Sequence, residues 1–187
     1  VLPDGVLWVM TGDVAGHGLD AAVTMSRLRA ALRSYALDGN APDRVLALAD
    51  RKLQFFDPGK MATVVCGRAP SPYERVELAS AGHLPPVSAR PGQPATLLDL
   101  PPSPPIGVSD ERPQTVVAEL PTGALLLFYT DGLVERRGEA LDVGLDRLTK
   151  VVTADNPETV CRTVMAALVG PDTPEDDIAV LALRRRE

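Results

Sequence analysis

Four short segments of the chain put polar residues where an apolar run stops. They are Gly12-Asp13-Val14-Ala15-Gly16-His17-Gly18, Ser80-Ala81-Gly82-His83, Tyr129-Thr130-Asp131-Gly132 and Glu175-Asp176-Asp177. Three of them deliver an aspartate. The run before Asp131, Ala124-Leu125-Leu126-Leu127-Phe128-Tyr129, is too apolar for anything but a central strand, which lifts Asp131 from the core to its rim. Carboxylates gathered at such a rim repel one another unless a cation lies between them. With 2 His and 2 Cys in the whole chain, the donors on offer are hard oxygens, a set suited to Mg²⁺ or Mn²⁺. A pair of such ions about 3.5–4 Å apart holds a water as hydroxide and clamps a phosphoryl group for in-line attack.

Each segment also has a plain structural reading. An aspartate beside glycine forms Asx-turns and helix caps, and Asp176-Asp177 suits a solvated turn before a strand. His17 and His83, both preceded by Ala-Gly, are equally suited to local hydrogen bonding. Gly16-His17-Gly18-Leu19-Asp20-Ala21 matches a degenerate dinucleotide fingerprint, G-x-G-x-x-A. That fingerprint needs a parallel strand directly after its helix, and here a second helix follows instead. Cys66 and Cys161 form no C-x-x-C pair, and neither is followed by the arginine of a cysteine-phosphatase loop; they read as buried, reduced core residues.

The elements that must position these residues are legible as periodicities. Residues 6–10 form a strand running into a loop at Thr11-Gly12-Asp13. Ala21, Met25, Leu28, Leu32 and Tyr35 share one face of a helix over about 19–37, ended by Asp38-Gly39-Asn40. A second helix follows Pro42, with Val45, Ala49, Leu53 and Phe56 facing inward and Asp57-Pro58-Gly59 stopping it. Residues 61–67 and 75–79 read as strands joined around Pro70-Ser71-Pro72. Twelve of the 18 prolines fall between Pro70 and Pro121, so this third of the chain is strands and loops. Within it, 115–120 and 124–130 are expected to pair across the turn Pro121-Thr122-Gly123. Helices are predicted over 143–152 and 157–169, the latter ended by Gly170-Pro171, and a last strand over 178–183.

The 187 residues form one mixed α+β domain over 1–187, long enough to bury a core without staples. Hydrophobic residues are 45% and charged residues 24%, a globular rather than a disordered balance. A net charge of -6 disfavours nucleic acid. No apolar run is long enough to span a bilayer, so no membrane contact is expected and the expected location is cytoplasmic.

Six segments, in order along nearly the whole chain, resemble the metal-dependent protein phosphatases of type 2C in their bacterial SpoIIE branch. They are Thr11-Gly12-Asp13-Val14-Ala15-Gly16-His17-Gly18 with its helix, Met61-Ala62-Thr63, Ser80-Ala81-Gly82-His83-Leu84-Pro85-Pro86, Pro105-Ile106-Gly107-Val108, Phe128-Tyr129-Thr130-Asp131-Gly132-Leu133-Val134-Glu135 and Asp176-Asp177-Ile178-Ala179-Val180. The resemblance implies a four-layer α/β/β/α sandwich of two antiparallel sheets flanked by helices, with a site for two Mn²⁺ or Mg²⁺ ions. It places the bridging aspartate on Asp13, a backbone carbonyl ligand on Val14, and further metal-binding aspartates on Asp131 and Asp176. Asp177 is the less favoured ligand of its pair.

The same resemblance implies hydrolysis of phosphoserine and phosphothreonine by metal-held hydroxide, with no covalent phospho-enzyme. The implied substrate is a phosphorylated anti-sigma-factor antagonist in bacterial stress or developmental switching, and flanking sensor or switch domains are expected in a longer chain. Two departures stand out. The family carries a Gly-Gly-Asp strand upstream of the Gly-Asp loop, whereas this sequence starts at Val1-Leu2-Pro3-Asp4-Gly5; the expectation is a fold missing its first strand or strands, with one acid fewer near the metals and an unpaired sheet edge. His17 is spaced differently from the histidine of eukaryotic members, so no general-acid role is transferred to it. Two other readings stand beside the phosphoprotein phosphatase: a non-catalytic, partner-binding regulatory module with the same fold, and a two-metal hydrolase of a small phosphorylated molecule.

Overall fold

The computed structural model describes residues 1–109, 111–169 and 176–186. In chain order the elements are β1 (Leu7–Val14), α1 (Gly18–Leu37), α2 (Pro42–Phe56), β2 (Ala62–Ala69), β3 (Arg75–Ala81), β4 (Val87–Ala89), β5 (Thr96–Leu97), β6 (Val116–Glu119), β7 (Leu125–Tyr129), a 3₁₀ turn (Asp131–Leu133), α3 (Leu141–Val151), α4 (Pro157–Leu168) and β8 (Val180–Arg184). Two antiparallel four-stranded sheets result, ordered β1-β2-β3-β6 and β5-β4-β7-β8, which with four helices is the α+β class expected. The chain divides into two compact units, Val1–His83 with Leu100–Glu119, and Leu84–Asp99 with Leu120–Glu187. Among the described residues, no helix is long and apolar enough to cross a membrane.

In the first unit, α1 and α2 cover one face of the sheet. Leu28, Leu32 and Ala36 of α1 and Val45, Leu46, Ala49 and Leu53 of α2 pack against Val64 and Cys66 of β2 and Ala79 and Ala81 of β3. The alternation Val64/Cys66 is the period-2 signature of one strand face, while Val65 between them is also buried, so β2 is apolar on both sides. Pro42 opens α2 where a missing N–H costs nothing. Gly39 follows α1 with φ +79°, the left-handed residue that a helix stop requires.

Phe56, read as inward-facing, is 66% exposed. It is the last residue of α2, and the core contact of that helix ends at Leu53. Cys66 is buried as expected, but Cys161 is only half-buried. Burial pushes the Cys66 thiol far above its ordinary range, and the Asp43 carboxylate adds to the rise. In the native protein an aromatic disulfide reagent is therefore expected to label Cys161 slowly and leave Cys66 unmodified until denaturant is added. Rapid labelling of both thiols under native conditions would contradict the burial described.

In the second unit, Leu125, Leu127 and Tyr129 of β7 pack with Leu148 of α3 and Val160, Val164 and Leu168 of α4. All five residues of β7 are buried, and it lies between β4 and β8. Asn156 caps α4, its side-chain oxygen accepting from Glu158 N at 3.0 Å and Thr159 N at 3.4 Å. The expected end of that helix at Gly170-Pro171 lies outside the described residues.

The expected pairing of β6 with β7 does not occur. The turn at Pro121 forms, with Ala124 N donating to Pro121 O at 2.9 Å. Yet β6 pairs with β3, opposing Ala118 to Val76, whereas β7 pairs with β4 and β8. The reason is burial. β6 alternates between half-buried and exposed and suits a sheet edge; β7 is apolar on both faces and needs a strand on each side.

Candidate active site

In the first unit Asp13 lies inside β1 rather than in a loop. Gly12 makes this possible, since a Cβ there would come 2.5 Å from Thr63 O and 3.0 Å from Val64 Cγ2. A β1 strand with a side chain at position 12 could not approach β2 so closely. The register opposes Asp13 to Thr63 and Val14 to Ala62, and Ala15 N donates to Met61 O at 2.9 Å. Asp13 is therefore in a hydrogen-bonded pair and Val14 in the alternate, non-bonded position, where a carbonyl points away from the partner strand. Since β1 is an edge of its sheet, the Val14 carbonyl points off that edge while its side chain is buried in the core. Antiparallel β1 and β2, joined through two helices, also exclude the dinucleotide reading of Gly16-His17-Gly18, which requires parallel neighbours.

Thr63 shares a sheet face with Asp13, and its Oγ1 hydrogen-bonds His83 Nδ1 at 2.9 Å. His83 is buried, and Ser80 Oγ fixes its backbone, donating to His83 O at 2.9 Å and accepting from His83 N at 3.2 Å. Gly82, at φ +67°, turns the chain against Pro105; a Cβ there would lie 2.6–2.9 Å from three Pro105 atoms. Ile106 then exchanges both backbone hydrogen bonds with Ala62, at 3.0 and 2.8 Å. The segments around residues 61–63, 80–83 and 105–107 thus form a brace behind Asp13. Sequence reading quoted them as motifs but assigned them no work. Thr63→Val is expected to lower stability by about 1–3 kcal/mol because a buried imidazole nitrogen loses its hydroxyl partner, with Thr63→Ser recovering most of it. Thermal unfolding checks this, and an unchanged transition would dismiss the brace.

In the second unit β7 delivers Asp131. Thr130 leaves the strand extended, its N donating to Ala179 O at 3.1 Å, while its Oγ1 donates to Asp177 O at 3.1 Å and accepts from Ala179 N at 2.9 Å. Thr130 therefore ties the 176–179 segment to the end of β7, although nothing in its spacing marked it. Burial raises the Tyr129 hydroxyl and keeps it a neutral donor to Pro85 O, 3.0 Å away. Asp131 opens the 3₁₀ turn, with Oδ1 accepting from Gly132 N at 2.9 Å. Gly132 abuts the second acidic segment: a Cβ there would come 2.7 Å from Asp177 O and 3.3 Å from Asp176 Cβ. The residue that follows Asp131 is thus packed against the 176–177 segment. Asp176 Oδ1 accepts from Asp177 N at 2.8 Å, so in each of these two carboxylates one oxygen is oriented by the backbone. Asp131 is half-buried and Asp176 and Asp177 are exposed. Glu175 lies outside the described residues.

Among the described residues, no three His, Cys, Asp or Glu side chains are gathered as a ready-made metal cluster. The candidate donors are Asp13 and the Val14 carbonyl in one unit, and Asp131, Asp176 and Asp177 in the other. Every donor is oxygen, which fits Mg²⁺ or Mn²⁺ and not a soft metal.

Compared with known families, residues 3–186 match the family described as Stage II sporulation protein E (SpoIIE). The chain belongs to the SpoIIE family. Three solved structures share the fold. The RsbU and RsbW domains of Rv1364c from Mycobacterium tuberculosis align with a TM-score of 0.87 at 28% identity, covering 98% of this chain and 52% of that one. The PP2C phosphatase domain of SpoIIE from Bacillus subtilis, with a fragment of its regulatory domain, aligns at 0.74 and 18% identity, over 96% and 58%. RsbX in complex with magnesium aligns at 0.69 and 15% identity, over 97% and 82%. This SpoIIE-family chain spans between half and three-fifths of the first two. Its two antiparallel sheets and four helices share the fold of the PP2C phosphatase domain of that SpoIIE.

Proposed function

We propose that this SpoIIE-family chain is a Mn²⁺- or Mg²⁺-dependent protein serine/threonine phosphatase domain, comprising residues 1–187 as one functional domain of a longer protein. The observation that supports the reading is the abutment of Gly132 on Asp176 and Asp177, which sets the residue next to Asp131 against the 176–177 segment at the end of a central strand. In this reading Asp13, the Val14 carbonyl, Asp131 and Asp176 would be the residues that hold the ions, with Asp177 the less favoured ligand of its pair. When bound, such ions lower the pKa of a water and neutralise charge on a phosphoryl group. The protein's own part is positional. Gly12 lets β1 close on β2, Thr63 and His83 brace the sheet behind Asp13, and Thr130 holds the 176–179 segment against β7.

For the substrate we propose a phosphorylated anti-sigma-factor antagonist in the bacterial cytoplasm, with sensor or switch domains flanking this one. Rv1364c, which carries RsbU and RsbW domains in one chain, supports that organisation. Assay of p-nitrophenyl phosphate and a phosphoserine peptide with Mn²⁺, with Mg²⁺ and with a chelator tests the enzyme. Turnover with either metal, abolished by chelator and restored by added Mn²⁺, is expected. Absence of turnover in this chain and in an upstream-extended one would leave the regulatory-module reading standing. Efficient turnover of a small metabolite and none of the peptide would favour the small-molecule hydrolase.

A further inference from the structure

Helix α2 has a second face that the core does not use. Opposite Val45, Ala49 and Leu53, the residues Arg44, Leu48, Arg51 and Phe55 recur at helical spacing and line a groove of about 1060 Å³ with Lys52, Phe56 and Arg112. Phe55 is 78% exposed and Phe56 66%, and their rings meet edge to face with centroids 4.8 Å apart. Two of the 3 phenylalanines in the chain thus stand in water side by side. A contiguous aromatic patch of this kind marks an interaction surface, where a single exposed apolar residue would not.

The charges around the rings are equally uneven. Elsewhere, cations such as Arg27, Arg68 and Arg147 pair with carboxylates. Arg44, Arg51, Lys52 and Arg112 make no ion pair among the described residues. Of the two acids lining the groove, Asp50 is already engaged, accepting from Gly107 N at 2.6 Å and Gln54 Nε2 at 2.9 Å; Glu111 is the other. Four cations with no ion pair among the described residues therefore surround one aromatic patch.

We propose that this groove docks an acidic segment of a partner protein that carries apolar side chains between its carboxylates. The guanidinium groups suit bidentate carboxylates, and the phenylalanine pair with Ala47 and Leu48 supplies the apolar contact. A single-stranded nucleic acid fits less well. The edge-to-face rings offer no pair of parallel platforms for successive bases. The proposal does not depend on the phosphatase reading.

Fluorescence anisotropy with a fluorescein-labelled peptide alternating glutamate and leucine tests it on the whole chain. Binding that weakens with added salt is expected, with about 10-fold loss of affinity in Arg51→Glu and a similar loss in the Phe55→Ala, Phe56→Ala double variant. Both sites are exposed, so unfolding temperatures should stay at the wild-type value and a lost signal cannot be ascribed to misfolding. Three outcomes would overturn the proposal: no binding, equal binding of a labelled peptide alternating lysine and leucine, or tighter binding of oligothymidylate. Concentration-dependent dimerisation that the same variants abolish would overturn it too, assigning the groove to a second copy of the chain.

Discussion

Asp131→Asn is expected to remove at least ~100-fold of metal-dependent phosphate-ester hydrolysis, since loss of even a group supporting a metal ligand costs about 10–100-fold. The substitution is chosen to spare the fold. Asn retains an oxygen to accept from Gly132 N, the 2.9 Å bond that starts the 3₁₀ turn, and Asp131 is only half-buried. The Val134 and Glu135 amides bond the backbone carbonyl of residue 131, not its side chain, so the turn survives. What the change removes is one negative charge from a site where carboxylates would repel each other without a cation. The check is an initial-rate titration with Mn²⁺, beside thermal unfolding of both proteins. A variant that turns over substrate at the wild-type rate with the wild-type Mn²⁺ midpoint would remove Asp131 from the metal site.

What sequence reading could reach follows from how far each signal travels. The helical faces were legible because Leu28 and Leu32, or Val45, Ala49 and Leu53, repeat within one helix and meet one sheet. The central place of β7 was legible because a strand apolar on both faces has nowhere else to go. The partner of β6 was not, because a proline-glycine turn reverses the chain without saying which strand lies beside it after the reversal. Nor did apolar periodicity show that Asp13 sits within β1: the strand continues through Gly12, whose contribution is an absent Cβ. Phe56 follows the inward spacing faithfully and still points to water, because α2 outruns its core.

The candidate site divides the same way. Residue type gave the donors, and the resemblance gave the roles. The neighbours that hold them are set by the tertiary fold alone, because Thr130 to Asp177, Thr63 to His83 and Ile106 to Ala62 are contacts between segments remote in sequence. Gly12, Gly82, Gly107 and Gly132 of those motifs act as backbone fitting: each lacks a Cβ that would collide with neighbouring backbone or proline, and their chemistry is that of approach distance.

Gly132→Ala isolates that kind of work from metal ligation. Position 132 does not need a left-handed conformation, unlike Gly82 or Gly107, and in an isolated helical turn alanine is favoured over glycine by about 1 kcal/mol. Local propensity alone therefore predicts a neutral or stabilising change. The surroundings predict the reverse. The new methyl group would sit 2.7 Å from Asp177 O, closer than a Cβ tolerates, and 3.3 Å from Asp176 Cβ, a tight contact. The neighbour most able to yield is the 176–177 segment, whose side chains are exposed, and its movement would draw Asp176 away from Asp131. The expected result is a loss of about 1–3 kcal/mol in stability from overpacking. A second expected result is a loss of about 10–100-fold in rate, the scale of a disturbed supporting contact, with a weaker Mn²⁺ midpoint. Saturating Mn²⁺ should recover part of the rate but none of it in Asp131→Asn, which separates a displaced ligand from a missing one. Wild-type stability and wild-type rate in Gly132→Ala would mean that Asp131 and Asp176 do not depend on the abutment of Gly132, and the second half of the site would have to be redrawn.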